Sequence, residues 1–153
     1  MPRRKPPSFP WTCRSTIPWT TGSARPTSTD VSLVENRRLA SFIRRMGLES
    51  RYQQVLCDSL RFDPAPHRGS VELAFIDGAH SLPCVRNDTL KMAVMAAERG
   101  LVFWHDYGGR GRFAPLTGYL ESLASRIPLY PIPGTSLAWA AAPDLRRLAE
   151  TAI

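Results

Sequence analysis

The order of apolar patterns along this chain predicts an α/β domain, built on a mostly parallel sheet that closes with an antiparallel strand pair. Three observations carry that expectation. Two apolar runs, Val71 to Ile76 and Leu101 to Trp104, flank a helical pattern, and strands joined through a helix form right-handed crossovers in a parallel sheet. Both runs stop abruptly at acids and imidazoles: Asp77, Gly78 and His80 after the first, His105 and Asp106 after the second. Near the end, residues 128–132 and 136–140 read as strands joined by Pro133-Gly134-Thr135, which predicts a hairpin.

The elements follow in order. Residues 1–29 hold six of the fourteen prolines among Ser, Thr and Arg, with no helical or alternating period. Proline fixes its backbone and removes a donor, so this stretch reads as a disordered basic leader before a domain over 30–153. Ser32 with Glu35 makes a capping box, and Leu39, Phe42, Ile43 and Met46 follow at helical spacing until Gly47 stops the helix. Residues 52–58 read as a strand ending at Asp58, before a Pro-rich loop. Residues 71–77 form the next strand, whose weak alternation suits cover on both faces. Ser81 caps a helix with Pro83 in its first turn and Leu90, Ala93, Val94 and Ala97 as its inner stripe, ended by Gly100. Residues 101–106 are the third strand. Leu116, Tyr119, Leu120 and Leu123 mark a third helix, and residues 143–152 a short closing one.

Composition narrows the classes. A chain of 153 residues, 43% of them hydrophobic, suits one globular domain. No apolar run approaches the roughly 20 residues of a membrane span, and no signal peptide follows the basic start. Cys13, Cys57 and Cys84 are odd in number and lack metal-site spacing, so reduced thiols in a cytoplasmic protein are expected. The net charge is +7, but Arg3, Arg4, Lys5, Arg14 and Arg25 set against Asp30 place +4 of it in the first 30 residues. A basic tail on a nearly balanced domain argues against nucleic acid as the main partner.

In an open parallel sheet, ligands bind beyond the carboxyl ends of the strands. Asp58-Ser59, Asp77 to His80, and His105-Asp106-Tyr107 would share that edge, with the basic loop Gly108 to Gly111 placed to close over a substrate. The bland alternative for Asp58 is a turn cap. His67 reads as a surface loop residue.

At these residues, "FIDGAHSLPCVRNDT" (75–89) and "RGLVFWHDYGGRG" (99–111), the chain resembles class I S-adenosylmethionine-dependent methyltransferases, in the small-molecule group with an F-I-D-G-x-H signature. Residues 36–59 resemble that fold's second helix and third strand. Residues 127–140 resemble its terminal antiparallel pair, so the likeness covers about 30–142. It implies a Rossmann-like sheet and S-adenosylmethionine as cofactor. By position, Asp58 and Ser59 match residues facing the adenine, Asp30 the ribose-binding acid, and Asp77 the acid beside the methionine portion. His80, His105 and Asp106 match the substrate rim. Catechol-type relatives hold a divalent metal between these strand ends, which implies magnesium at Asp77 and Asp106.

One part of the pattern is missing. The family opens with a central strand and an E-x-G-x-x-x-G turn, yet residues 1–29 contain only Gly22, and "TCRST" (12–16) is at best a relic. Loss of that strand would leave sheet edges open to pairing, hence to oligomers. A truncated or frame-disrupted gene product is the expected explanation of the leader. The expected function is O-methyl transfer to a small molecule, with His105 or His80 as base, since an imidazole titrates near neutrality. The alternatives are a non-enzymatic remnant of the fold, a metal-dependent hydrolase using Asp77, His80, His105 and Asp106, and a nucleic-acid module acting through the leader.

Overall fold

The computed structural model describes residues 41–150, Gln54 and Leu56 excepted. The leader, Asp30, the capping box and Leu39 lie outside the described residues. The chain divides into two units, Met1–Cys57 and Asp58–Ile153.

In the first unit, helix α1 (Ser41–Arg45) stops as expected at Gly47, whose φ of 64° is the left-handed geometry glycine tolerates. The Gly47 N–H donates to the Arg44 carbonyl at 3.0 Å and the Leu48 N–H to the Ile43 carbonyl at 3.1 Å. These are the two bonds of a Schellman cap. A 3-10 turn (Glu49–Arg51) follows. Of the strand expected over 52–58, Tyr52, Gln53, Val55, Cys57 and Asp58 are not in a strand, and Gln54 and Leu56 lie outside the described residues.

The second unit holds the sheet. Strand β1 (Val71–Ile76) leads through helix α2 (Leu82–Met95) into β2 (Ala96–Trp104). Helix α3 (Ala114–Ala124) then precedes the hairpin β3 (Tyr130–Pro131) and β4 (Ala138–Ala141), and helix α4 (Ala142–Glu150) follows. The sheet order is β1-β2-β4-β3, with β1 and β2 parallel and the other two pairs antiparallel. The helix-linked crossover and the closing hairpin therefore both form, in a mixed sheet.

Helix α2 ends five residues before the expected Gly100. Ala96 is already extended (φ −64°, ψ 135°) and pairs with Val71. The register then shifts: β2 runs from Ala96 to Leu101 while β1 advances only from Val71 to Leu73. Gly100 sits in this irregularity, where a Cβ would lie 2.8 Å from the Val71 carbonyl oxygen. Its glycine serves close backbone approach within a strand rather than a helix stop. The inner line of α2 also differs from the expected stripe. Val85, Thr89 and Ala93 are buried, whereas Leu90 and Val94 are only partly so. Thr89 faces inward because its hydroxyl accepts the Trp104 indole N–H at 3.0 Å, which satisfies two polar groups that burial would otherwise penalise.

The core lies between the helices and one sheet face: Ala74, Ile76, Val102, Trp104 and Ala140 against Val85, Leu120 and Leu145. The opposite face of β1 carries Leu73 and Phe75, 64% and 54% exposed. Cover on both faces of this strand, expected from its weak alternation, is not found among the described residues.

Candidate active site

The parallel pairing of β1 and β2 brings their two endings together. Phe75 pairs with Phe103 and Ile76 with Trp104, and the His105 N–H donates to the Ile76 carbonyl at 3.0 Å. The ladder therefore sets Asp77 beside His105. Their side chains meet, with His105 Nδ1 at 3.4 Å from Asp77 Oδ1.

Asp106 occupies the centre. It is the only non-glycine residue among those described with positive φ (62°), a geometry Asp tolerates better than most at a small energetic cost. This turn sets its carboxylate between two imidazoles. Oδ2 lies 2.8 Å from His80 Nε2 and Oδ1 lies 3.1 Å from His105 Nδ1. A carboxylate only accepts, so His80 carries a proton on Nε2. His105 Nδ1 lies within ion-pair range of both acids yet outside hydrogen-bond alignment with either. The other ring nitrogen of His105, Nε2, is 3.3 Å from the Ser136 hydroxyl.

Burial separates the members of the cluster. The Asp106 side chain is 18% exposed and Asp77 53%. The His80 and Phe113 rings pack T-shaped, centroids 4.8 Å apart, and the Arg112 guanidinium lies over the Phe113 ring, 4.6 Å from its centroid. The glycine loop expected to move over a substrate is tied at its base. Thr117 Oγ1 accepts the Gly108 N–H at 3.1 Å and donates to the Gly109 carbonyl at 3.2 Å. A Cβ at Gly109 would meet Phe113 Cβ at 2.7 Å, so the loop folds tightly onto the turn holding Phe113.

Four of the expected site residues, Asp77, His80, His105 and Asp106, thus form one cluster. Asp58 and Ser59 make contacts of their own. Asp58 Oδ1 accepts the Leu60 N–H at 2.9 Å, the turn cap weighed as its alternative, and the Ser59 carbonyl accepts from the Asn87 amide at 3.1 Å and from the Lys91 ammonium. Asp30 lies outside the described residues. Ser136 and Phe113 join the site unexpectedly. Ser136 reads in sequence as the edge of a hairpin turn, and only the folded hairpin, through the Tyr107 N–H to Ser136 carbonyl bond of 2.9 Å, carries it to His105.

One atom each from Asp77, His80 and Asp106 lie within 4.8 Å of one another, a spacing that a divalent cation could bridge. The imidazole in this set suits a transition metal better than magnesium, which prefers oxygen donors. For a cationic cofactor, the half-exposed Asp77 carboxylate keeps lone pairs turned to solvent.

A mixed sheet that gathers acids and imidazoles at the carboxyl ends of its parallel strands defines a Rossmann-like α/β protein with a candidate site at that edge. A family model described as "Methyltransferase domain" matches residues 15–107, and the chain belongs to this family of class I S-adenosylmethionine-dependent methyltransferases. The match begins within the segment read as a leader and takes in both strand-end motifs. No curated protein and no solved structure matches the chain. Among the described residues no helix is long and apolar enough to cross a membrane.

Proposed function

We propose that the chain catalyses methyl transfer from S-adenosylmethionine to a hydroxyl of a small molecule, with His105 as general base. The observation that carries this reading is the polarity of the His105 ring. Two carboxylates flank Nδ1, which favours the tautomer with the proton there and Nε2 free to present its lone pair beside the Ser136 hydroxyl.

S-adenosylmethionine, when bound, would supply a methyl group made electrophilic by its sulfonium, the methyl–sulfur bond breaking to leave the neutral thioether of S-adenosylhomocysteine. Asp77 suits the cofactor's positive charges, being an exposed acid at the strand end. The acceptor hydroxyl takes the place of the Ser136 hydroxyl against His105 Nε2 and gives up its proton there as it attacks. Asp106 then stabilises the imidazolium, and its link to His80 holds the carboxylate in register. His80, with Nε2 committed to Asp106 and its ring against Phe113, acts as a positioning residue. The base is thus oriented before the acceptor arrives, which is what general-base catalysis requires.

A metal reading has one observation in its favour, the convergence of Asp77, His80 and Asp106. It would replace the Asp106–His80 contact and assign the acidification of the acceptor to the ion. Loss of turnover to a chelator, restored by manganese or zinc, would decide for it.

The test pairs two measurements. His105→Gln should lower turnover across a panel of small phenolic acceptors by about 10²–10⁴-fold. Calorimetric affinity for S-adenosylhomocysteine should stay unchanged in that variant and fall in Asp77→Ala. Equal loss of turnover and affinity in His105→Gln would sink the base assignment. Absence of saturable binding by the folded wild type would favour the non-enzymatic remnant.

A further inference from the structure

A second concave site lies on the helical side of the domain, away from the strand-end cluster. Helices α2, α3 and α4 enclose a groove of about 280 Å³, and none of Asp77, His80, His105 or Asp106 lines it. Its polar groups are Arg86 and Thr89 from α2, and Tyr119, Ser122 and Arg126 from α3 and the turn after it. Its apolar wall includes Ala93, Leu123 and Leu145.

Charge is the unusual feature. Arg86 and Arg126 come from separate elements, and both act electrostatically on the same phenol, that of Tyr119. Neither makes an ion pair with a carboxylate among the described residues. Two like charges lining one groove repel each other, and an anion between them would relieve that repulsion. The phenol is held from behind, since Tyr119 hydrogen-bonds Thr89 and Thr89 accepts the buried Trp104 N–H. Burial raises the Tyr119 pKa above the ordinary 10.0, outweighing the lowering by Thr89 and the two arginines. The hydroxyl therefore stays protonated at neutral pH and able to donate.

We propose that this groove binds a small phosphate monoester with an apolar body. Two guanidiniums match the charge of the dianion and present donors to its oxygens, as arginines do at phosphate sites. The hydroxyls of Tyr119 and Ser122 supply neutral donors, and the apolar wall takes the organic part. The volume suits a compact ligand, lying at the lower bound of small-molecule pockets.

Phenyl phosphate is the probe, titrated calorimetrically into the full chain, with benzoate and phenol as comparisons. Saturable binding of phenyl phosphate is expected, weakened about tenfold in each of Arg86→Gln and Arg126→Gln and several-fold in Tyr119→Phe. Both arginines are exposed, so their replacement leaves the fold intact, which circular dichroism checks. Benzoate should bind more weakly and phenol not measurably. The proposal is overturned if the folded wild type shows no saturable binding, or if the double arginine variant binds as tightly. Phenol or benzoate binding as well as phenyl phosphate would overturn the dianion assignment. Because the groove shares no residue with the strand-end cluster, either result leaves the methyl-transfer reading standing on its own test.

Discussion

The two faces of the sheet are made by the same strands and have opposite fates. On one, Ala74, Val102, Ala138 and Ala140 are small enough for helices to approach closely, and Trp104 fills the centre with no exposed surface. On the other, Leu73, Phe75 and Tyr130 are exposed, while Phe103 and Trp139 are partly so. The second face is the more aromatic, with Tyr130 stacked on Trp139 at 4.6 Å across the hairpin. Side-chain hydrophobicity therefore does not distinguish them. What distinguishes them is the layer of helices over the first, because burial depends on a partner element and not on the residue alone.

The sharpest way to break the comparison is at its centre. Trp104→Ala should cost about 3–5 kcal/mol, as expected for an aromatic removed from a packed core, and it also removes the indole N–H that Thr89 accepts. Chemical denaturation measures this, and a loss under about 1 kcal/mol would mean that the helical layer is not packed as described. Between the faces, Gly100→Ala should cost about 1–3 kcal/mol, since its Cβ would sit 2.8 Å from the Val71 carbonyl and neither backbone can retreat without breaking the register. The smallest effect belongs to the open face. Phe75→Thr should change stability by no more than about 0.5 kcal/mol while lowering the binding of an apolar dye. A core-sized loss there would show that this face is covered after all.

The same contrast explains which parts of the site were legible. Asp77, His80, His105 and Asp106 stand out in sequence because each strand stops on polar residues in a run that is otherwise apolar. Pairing of β1 with β2 then carries them together at known intervals. Asp58 carries the same local signature, an acid after an apolar segment, and its carboxylate accepts the Leu60 N–H. What the ladder adds is visible at residues 71–76, whose pairing with β2 brings the residues after both strands together. Ser136 shows the reverse case. Nothing about a serine after a Pro-Gly-Thr turn marks it for chemistry, and the fold of the hairpin alone brings it to His105.

Helix boundaries divide in the same way. Gly47 ends α1 as its residue type predicts, since a left-handed φ at a helix end is a local requirement. Gly100 looks equally like a stop, but the chain leaves the helix at Ala96 because pairing with Val71 and the register shift beside it outweigh helix propensity.

Local chemistry in the sequence was thus enough to determine the crossover, the closing hairpin and the identity of the strand-end acids and imidazoles. Those features depend on periodicity, turn residues and the abrupt change from apolar to polar, all of which neighbouring residues carry. Tertiary structure alone decided which sheet face was covered, where α2 gives way to β2, that Asp106 lies between two imidazoles, and that Arg86 and Arg126 line one groove. Each of these joins residues distant in the chain, and only the packed fold sets the distances on which hydrogen bonding, burial and Coulomb interaction depend.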